Sequence, residues 1–540
     1  MKKIFLFFIL AILVTELQAQ QKAKTINNPL PKGTLLSGIY SAPGGTAIIL
    51  QNNGKADLTL IAKKETLNNF STNFFDFPVK LLDSTKFKIA LKKIPIGQTA
   101  NIYAGAEGKM PRDKNILRVG CDFTYDHISR STNDKSFSTF YDGSDVAVGG
   151  NNGEEGRYVT FVTTAVGLDG STGKHRQIFW RDRNTGITKL ISSSPNGEEG
   201  NGDCYSPAIS GDGKSVAFES YSNNLVQSDK NSFRDIFIWH SGTNKIETVS
   251  IGTGGAEANA ESYEPSVSGD GNFIAFTSMA SNISTTDKGT SNNNVFLRDL
   301  KLGSTMMISI DPIAKKGGGG SKPSISYDGT RIAFYSHTAT LVTDDNNGFW
   351  DIFLWEKNIS KFKRVSLTAD GKERNQGTES ANRIVAPAIS GDGRYIAFTT
   401  TATNMVAGNI NGYQDVYVYD INTGKTVIAS NGANGISGNA DSPIEQGEKI
   451  AISFDGKWVA FSTKASNLGV PASNIVMHNM ITGENRAVSN VTGSSVGRPT
   501  ISYSGGYVVF GIGSKLDSRF GSSGIFANYT GVGLCRSCPQ

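Results

Sequence analysis

The chain has 540 residues, 61 of them glycine and 4 cysteine, with 38% hydrophobic residues and a formal net charge of +5. That hydrophobic share suffices for ordinary cores, and the Gly-, Ser-, Asn- and Thr-rich remainder marks turn-rich β structure. The basic residues are spread out, with no Lys/Arg face interleaved with aromatics, which argues against nucleic-acid binding.

At the N-terminus, Lys2 and Lys3, an apolar run from Ile4 to Val14 and the stretch Leu17-Gln18-Ala19 predict a secretory signal peptide over residues 1–19, cleaved after Ala19. No Cys follows the cleavage point, so a lipoprotein anchor is not supported, and no later stretch is apolar enough to span a membrane. The mature chain is expected in the periplasm or secreted.

Residues 31–130 alternate strand patterns with Gly/Asn turns, at Thr46–Gln51, Ala56–Ala62, Phe74–Val79, Lys86–Leu91 and Thr99–Tyr103. The phrases Ile-Leu-Gln-Asn-Asn-Gly (Ile49–Gly54) and Pro-Ile-Gly-Gln-Thr (Pro95–Thr99) resemble an Ig-like β-sandwich module of bacterial surface proteins. That resemblance implies a small N-terminal β-sandwich domain that spaces or docks and does not catalyse. Residues 131–143 read as a linker or a first propeller strand.

From residue 143 to 540 one line recurs: Ser206–Phe218, Glu264–Phe276, Lys322–Phe334, Ala386–Phe398, Ile450–Phe461 and Arg498–Phe510, with a weaker copy at Asn151–Phe161. The aligned turn positions are Glu155, Asp212, Asp270, Asp328, Asp392, Asp455 and Ser504, a period of about 60 residues that signals a repeat architecture. Each copy reads as four strands: Pro-Ala-Ile-Ser, a Gly-Asp-Gly turn, an Ile-Ala-Phe strand, then a third strand (Asp235–Trp239, Asp351–Trp355, Asp415–Tyr419) and a fourth ending in Val-Ser or Ile-Ser. Four antiparallel strands repeated seven times predict an all-β, seven-bladed β-propeller. The last copy ends after its third strand, Gly524–Tyr529, so its outer strand is expected from residues just before the first blade.

These lines resemble the PD40 (WD40-like) repeats of the TolB family, whose hallmark is Ser-Pro-Asp-Gly followed by an Ile-Ala-Phe strand. Here Gly, Tyr or Phe replaces that Pro, while Ser and Asp-Gly remain in five copies. The resemblance implies the propeller fold. The N-terminal α/β domain of periplasmic TolB has no counterpart here, so a Tol–Pal role is not carried over.

The cysteines are Cys121, Cys204, Cys535 and Cys538. In an oxidising compartment Cys535-Arg-Ser-Cys538 is expected to close a small disulfide and Cys121 to pair with Cys204, other pairings remaining open.

In such blades the first–second and third–fourth strand turns share one face, and they are short here. The other face carries the long connections Ser194–Tyr205, Thr253–Tyr263, Thr368–Val385, Asn431–Glu448, Tyr221–Arg234, Ser278–Asn293 and Thr338–Trp350. Long loops on a rigid scaffold are where binding concentrates. The aromatic anchors expected there are Tyr205, Tyr221, Phe233, Tyr263, Phe349, Trp350 and Tyr413.

Three loops repeat oxygen side chains at i, i+2 and i+6: Asp229, Asn231, Asp235; Asp345, Asn347, Asp351; and Asn409, Asn411, Asp415. Calcium suits such sets. The preferred alternative is that Asp and Asn cap a turn into the third strand by local hydrogen bonds. No nucleophile elbow is present, and the five histidines do not converge. The sequence thus favours a non-enzymatic scaffold binding an envelope or extracellular protein, or a glycan. The alternative is a metal-dependent polysaccharide lyase of the propeller type, with His175, His337, Asp344 and Asp345 as its candidates.

Overall fold

In the computed structural model the described residues are the strand segments between 34 and 127, residues 128, 129 and 132, and residues 145–530. Within the last span 152–153, 228, 290, 292, 377–384, 433–434, 444–448, 471, 490–495 and 513–523 are not described. The expected signal peptide, Cys535, Cys538 and the side chain of Cys121 lie outside this set. The chain divides into two units, Met1–Asp122 and Phe123–Gln540.

The first unit holds two four-stranded sheets. In one, Thr34–Pro43 pairs antiparallel with Phe70–Leu81 and parallel with Leu117–Phe123, and Gln98–Ala104 lies outermost. In the other, the order is Ala56–Ile61, Ala47–Asn52, Lys86–Lys93, Glu107–Lys109.

The second unit is the expected seven-bladed propeller. Each blade is a four-stranded antiparallel sheet, written A to D from the axis outward. Blade 2 shows the pattern, with A at Cys204–Ile209, B at Ser215–Ser220, C at Asp235–His240 and D at Lys245–Thr248. In blade 7, A, B and C are Val496–Ile501, Tyr507–Ile512 and Gly524–Tyr529. Its D strand is Asp126–His127, paired antiparallel with C through Phe526↔His127. The repeat that runs out of chain is completed from before blade 1, which starts at Val146.

The Ile-Ala-Phe strands are buried on both faces because each blade packs between two others. Among the described residues each hydrophobic cluster spans neighbouring blades, from Val162, Ile178 and Phe218, Phe237 between blades 1 and 2 round to Val159, Phe161 with Val509, Ile525 between blades 1 and 7. The recurring Phe of strand B stacks on the aromatic residue in the middle of strand C, as in Phe276–Phe296 at 5.7 Å and Phe398–Tyr417 at 5.9 Å.

The Ser-x-Asp-Gly turn is a closed hydrogen-bond unit. In blade 2 Ser210 Oγ donates to Asp212 Oδ1 (2.6 Å), Lys214 N donates to the same oxygen (3.0 Å), and Ser215 N donates to Ser210 Oγ (3.0 Å). Gly213 follows at φ 74°, left-handed backbone that glycine adopts without a Cβ penalty. Blade 7 carries Ser504 in place of the Asp, and there blade 1 intervenes. Glu155 accepts Ser502 Oγ (2.6 Å), Ser504 N (2.7 Å), Ser504 Oγ (2.6 Å) and Gly506 N (3.0 Å).

Cys204 corrects one expectation. It is a free thiol, fully buried on strand A of blade 2, 3.2 Å from Ser220 Oγ, and burial pushes it up to about 12. It takes the place that Ser262 holds in blade 3, so it is a core residue and not half of a disulfide. Among the described residues no helix is long and apolar enough to cross a membrane.

Candidate functional site at the long-loop face

The long loops are fastened down. Asn201 N donates to Asn224 Oδ1 (3.0 Å), Asn201 Nδ2 to Asn223 Oδ1 (2.7 Å), and Asn223 N back to Asn201 Oδ1 (3.0 Å). The same clasp recurs at Asn259 with Ser281 and Asn282, at Asn375 with Thr403 and Asn404, and at Asn439 with Ser466 and Asn467. Each clasp ties the described part of a D–A connection to the B–C loop of the following blade. The sequence reading missed these asparagines.

At its centre, the residue before the recurring proline of strand A forms a rim around the axis. Ser206, Glu264, Lys322 and Arg498 hold φ of 48°, 58°, 55° and 49°. Proline disfavours such backbone in the residue before it, and non-glycine residues there cost roughly 1–3 kcal/mol each, strain that collects at functional sites. A β-bulge accompanies each, between Tyr205/Ala208, Tyr263/Ser266, Ser321/Ser324 and Gly497/Thr500. The strained backbone is clamped by carboxylates: Glu264 N donates to Glu219 Oε2 (2.7 Å) and Lys322 N to Glu264 Oε2 (3.0 Å). Asp145, just before the first strand of blade 1, takes an ion pair from Arg498 and another from Lys449 at 3.6 Å. Burial opposes its charge, but these two cations outweigh that and hold its carboxyl below the usual range.

Beside the rim, Arg234 lies 4.8 Å from the Tyr263 ring centre and 5.5 Å from that of Tyr221, and pairs with Glu219 (3.3 Å) and Glu261 (3.2 Å). Burial pushes Glu219 upward and Arg234 pulls the other way. One blade back, Arg176 lies 5.1 Å from Tyr205, whose hydroxyl donates to Asp203 (3.1 Å). Tyr205, Tyr221 and Tyr263 therefore stand in one Tyr–Arg–carboxylate sector across blades 1–3. Phe233 and Tyr413 are exposed elsewhere on the face, at 41% and 43%. Phe349 is half-buried, and Trp350 packs on the blade 4–5 core and against His337 (5.6 Å).

In the three oxygen-rich loops the Asn side chain bonds both ways. Asn231 Oδ1 accepts Phe233 N (2.7 Å) while its Nδ2 donates to Asp235 Oδ2 (3.0 Å); Asn347 does the same for Phe349 and Asp351. Asn411 Oδ1 accepts Tyr413 N (2.9 Å), and Asn409 Nδ2 reaches Asp415 (2.8 Å). The three Asp also accept a serine from the end of strand D, Ser250, Ser366 or Ser430. Among the described residues no group of three His, Cys, Asp or Glu side chains is placed to hold a metal ion.

The loops differ in what balances their charge. In blade 4, Arg364 bonds Asp345 (2.9 Å) and Glu373 (2.9 Å), and Arg374 bonds Asp351 (3.0 Å). Blade 2 keeps the carboxylates, Asp229, Asp235 and Glu257, but has Thr248 and Ala258 where the arginines stand. Asp229 Oδ1 is buried without a hydrogen-bond partner. Burial, then the charges of Asp235 and Glu257, pushes Asp229 up to about 6, and burial does the same for Asp235.

Such groups bind protons more tightly folded than unfolded, where Asp titrates near ~3.9. Their contribution is complete below that pH and is lost as pH rises through about 6. Blade 5 already carries Asn409 at the position of Asp229. In EDTA, Asp229→Asn is expected to be more stable than the parent by about 1–2 kcal/mol at pH 8 and equal to it near pH 4. Thermal melts across that range check this. Stabilisation of the parent, but not of the variant, by added calcium would instead favour an ion at Asp229.

The lyase candidates are not brought together. His175 lies 3.5 Å from Asp203, His337 meets Trp350 edge-on, and Asp344 and Asp345 turn to Arg364.

No protein-family model and no curated protein matches the chain. Among solved structures it is similar to TolB from Acinetobacter baumannii, at 18% identity over 58% of this chain and 61% of that one, with a TM-score of 0.34. It is similar to an oligogalacturonate lyase from Vibrio parahaemolyticus at 10% identity, covering 83% and 98%, with a TM-score of 0.44. A third is the β-propeller domain of the Trilobed protease from Pyrococcus furiosus, at 14% identity, 73% and 94% coverage and a TM-score of 0.42. The chain spans 61% of the length of that Acinetobacter TolB. None of these similarities transfers an activity to this chain.

Proposed function

We propose that this is an extracytoplasmic, non-enzymatic scaffold that binds a protein or a cell-envelope glycan through its long-loop face. The observation that carries this reading is the strained, charged rim with the adjoining Tyr221–Arg234–Tyr263 sector, set within clasped loops. Aromatic and arginine side chains dominate recognition when they are held rigidly by their surroundings. The signal-peptide pattern of residues 1–19 supports a mature chain in the periplasm or outside the cell, with the N-terminal strands acting as an Ig-like spacing module.

Immobilised protein from Gln20 onward, incubated with envelope extract and a glycan panel, tests the reading in calcium and in EDTA. A specific partner weakened by Tyr221→Ala or Tyr413→Ala supports it. Both rings are exposed, so neither change should disturb the fold. Product release from an acidic polysaccharide, lost on chelation, would replace it with the lyase reading.

A further inference from the structure

The x of Ser-x-Asp-Gly, where the resembled repeats carry proline, is glycine at Gly211, Gly269 and Gly391 but aromatic at Tyr327, Phe454 and Tyr503. The three rings meet at the short-turn end of the channel. Phe454 and Tyr503 stack at 4.2 Å, and Tyr327 presents its edge to them at 5.5 and 6.0 Å.

Tyr327 belongs to blade 4, yet its hydroxyl accepts a hydrogen bond from Asn151 of blade 1, and its ring packs against blades 6 and 7. A Cβ on Gly211 of blade 2 or Gly269 of blade 3 would come within 2.1 or 2.4 Å of that ring. A Cβ on Gly391 of blade 5 would come within 2.2 Å of Phe454. Side chains that touch all seven blades must lie on the axis. The glycines leave room for rings too large for every blade to supply.

Above these rings the innermost strands carry small residues, among them Ala208, Ser266, Ser324, Ala388 and Ala451. Each is partly exposed although it sits on the strand nearest the axis.

We propose that the channel is a one-ended well: Tyr327, Phe454 and Tyr503 form its floor, and the charged rim on the long-loop face is its entrance. Whatever enters the propeller does so past Glu264, Lys322 and Arg498, and its inserted end meets an aromatic surface. The floor rests on packing alone and stands whether or not the long-loop face binds the partner proposed above.

The test places a cysteine on the wall, Ala388→Cys, and follows its modification by a small methanethiosulfonate in the full mature chain, resolved by peptide mass spectrometry. Adding Tyr327→Gly, the residue other blades carry at that position, is expected to raise the labelling rate several-fold by opening the second end. Tyr327→Phe keeps the ring and is expected to leave the rate unchanged. Circular dichroism and a thermal melt confirm that each variant is folded. An unchanged rate in folded Tyr327→Gly, or an equal rise in Tyr327→Phe, would overturn the floor.

Discussion

Glu155→Ala is expected to lower stability by about 3–4 kcal/mol, because four donors of the blade 7 turn lose one charged acceptor at once. Two of these are backbone N–H groups and a third is the hydroxyl of buried Ser502, so water replaces the carboxylate poorly. The loss should appear as a lower thermal midpoint and as faster amide exchange in Gly524–Tyr529, the strand that Asp126–His127 closes. In blades 2 to 6 the turn aspartate makes these bonds within its own blade; in blade 7 the acceptor has moved across the ring seam. Adding Ser504→Asp to Glu155→Ala should therefore restore most of the stability. Failure of that rescue would show that Glu155 acts otherwise than as the missing aspartate.

Arg234→Ala is expected to weaken partner capture by about 30-fold or more, the ≥2 kcal/mol of a central arginine. It also strands Glu219, which is 4% exposed and would be left without its cation. Loss of fold and loss of binding separate in the double variant Arg234→Ala/Glu219→Gln, which removes the orphaned charge. That variant should recover stability and remain defective in capture. Arg234→Lys keeps the charge but not the planar group lying against Tyr221 and Tyr263, so it should bind with intermediate affinity. Full capture by folded Arg234→Ala/Glu219→Gln would remove Arg234 from the site.

The propeller was legible because period-two patterning and a fixed turn are local signals, and Ile-Ala-Phe can be buried on both faces only where blades stack. Ring closure was legible from arithmetic, since three strands demand a fourth. The candidate site was legible only as a face. Tyr205, Tyr221 and Tyr263 fell into one sector, but their organising residue, Arg234, was passed over because one arginine before a strand looks like any surface charge. The column before the recurring proline did carry a signal. It varies as Ser206, Glu264, Lys322, Ala386 and Arg498 while the line around it holds nearly constant. Trp350, which its place in a long loop marks as an expected anchor, is partly buried against the blade 4–5 core, a contact that no local pattern reveals. The exchange of Glu155 for the blade 7 aspartate joins residues 347 to 351 positions apart, beyond any local pattern.

The central claim is that recognition belongs to the long-loop face, and paired substitutions on the two faces test it most directly. Capture from envelope extract and the glycan panel would be measured for Tyr221→Ala and Tyr413→Ala on one face. On the other, Leu302→Glu and Ile481→Glu change turn residues that are 77% and 70% exposed. Loss of capture confined to the tyrosine variants is the expected result. Loss confined to Leu302→Glu and Ile481→Glu would place the binding surface on the opposite side of the ring and contradict the account.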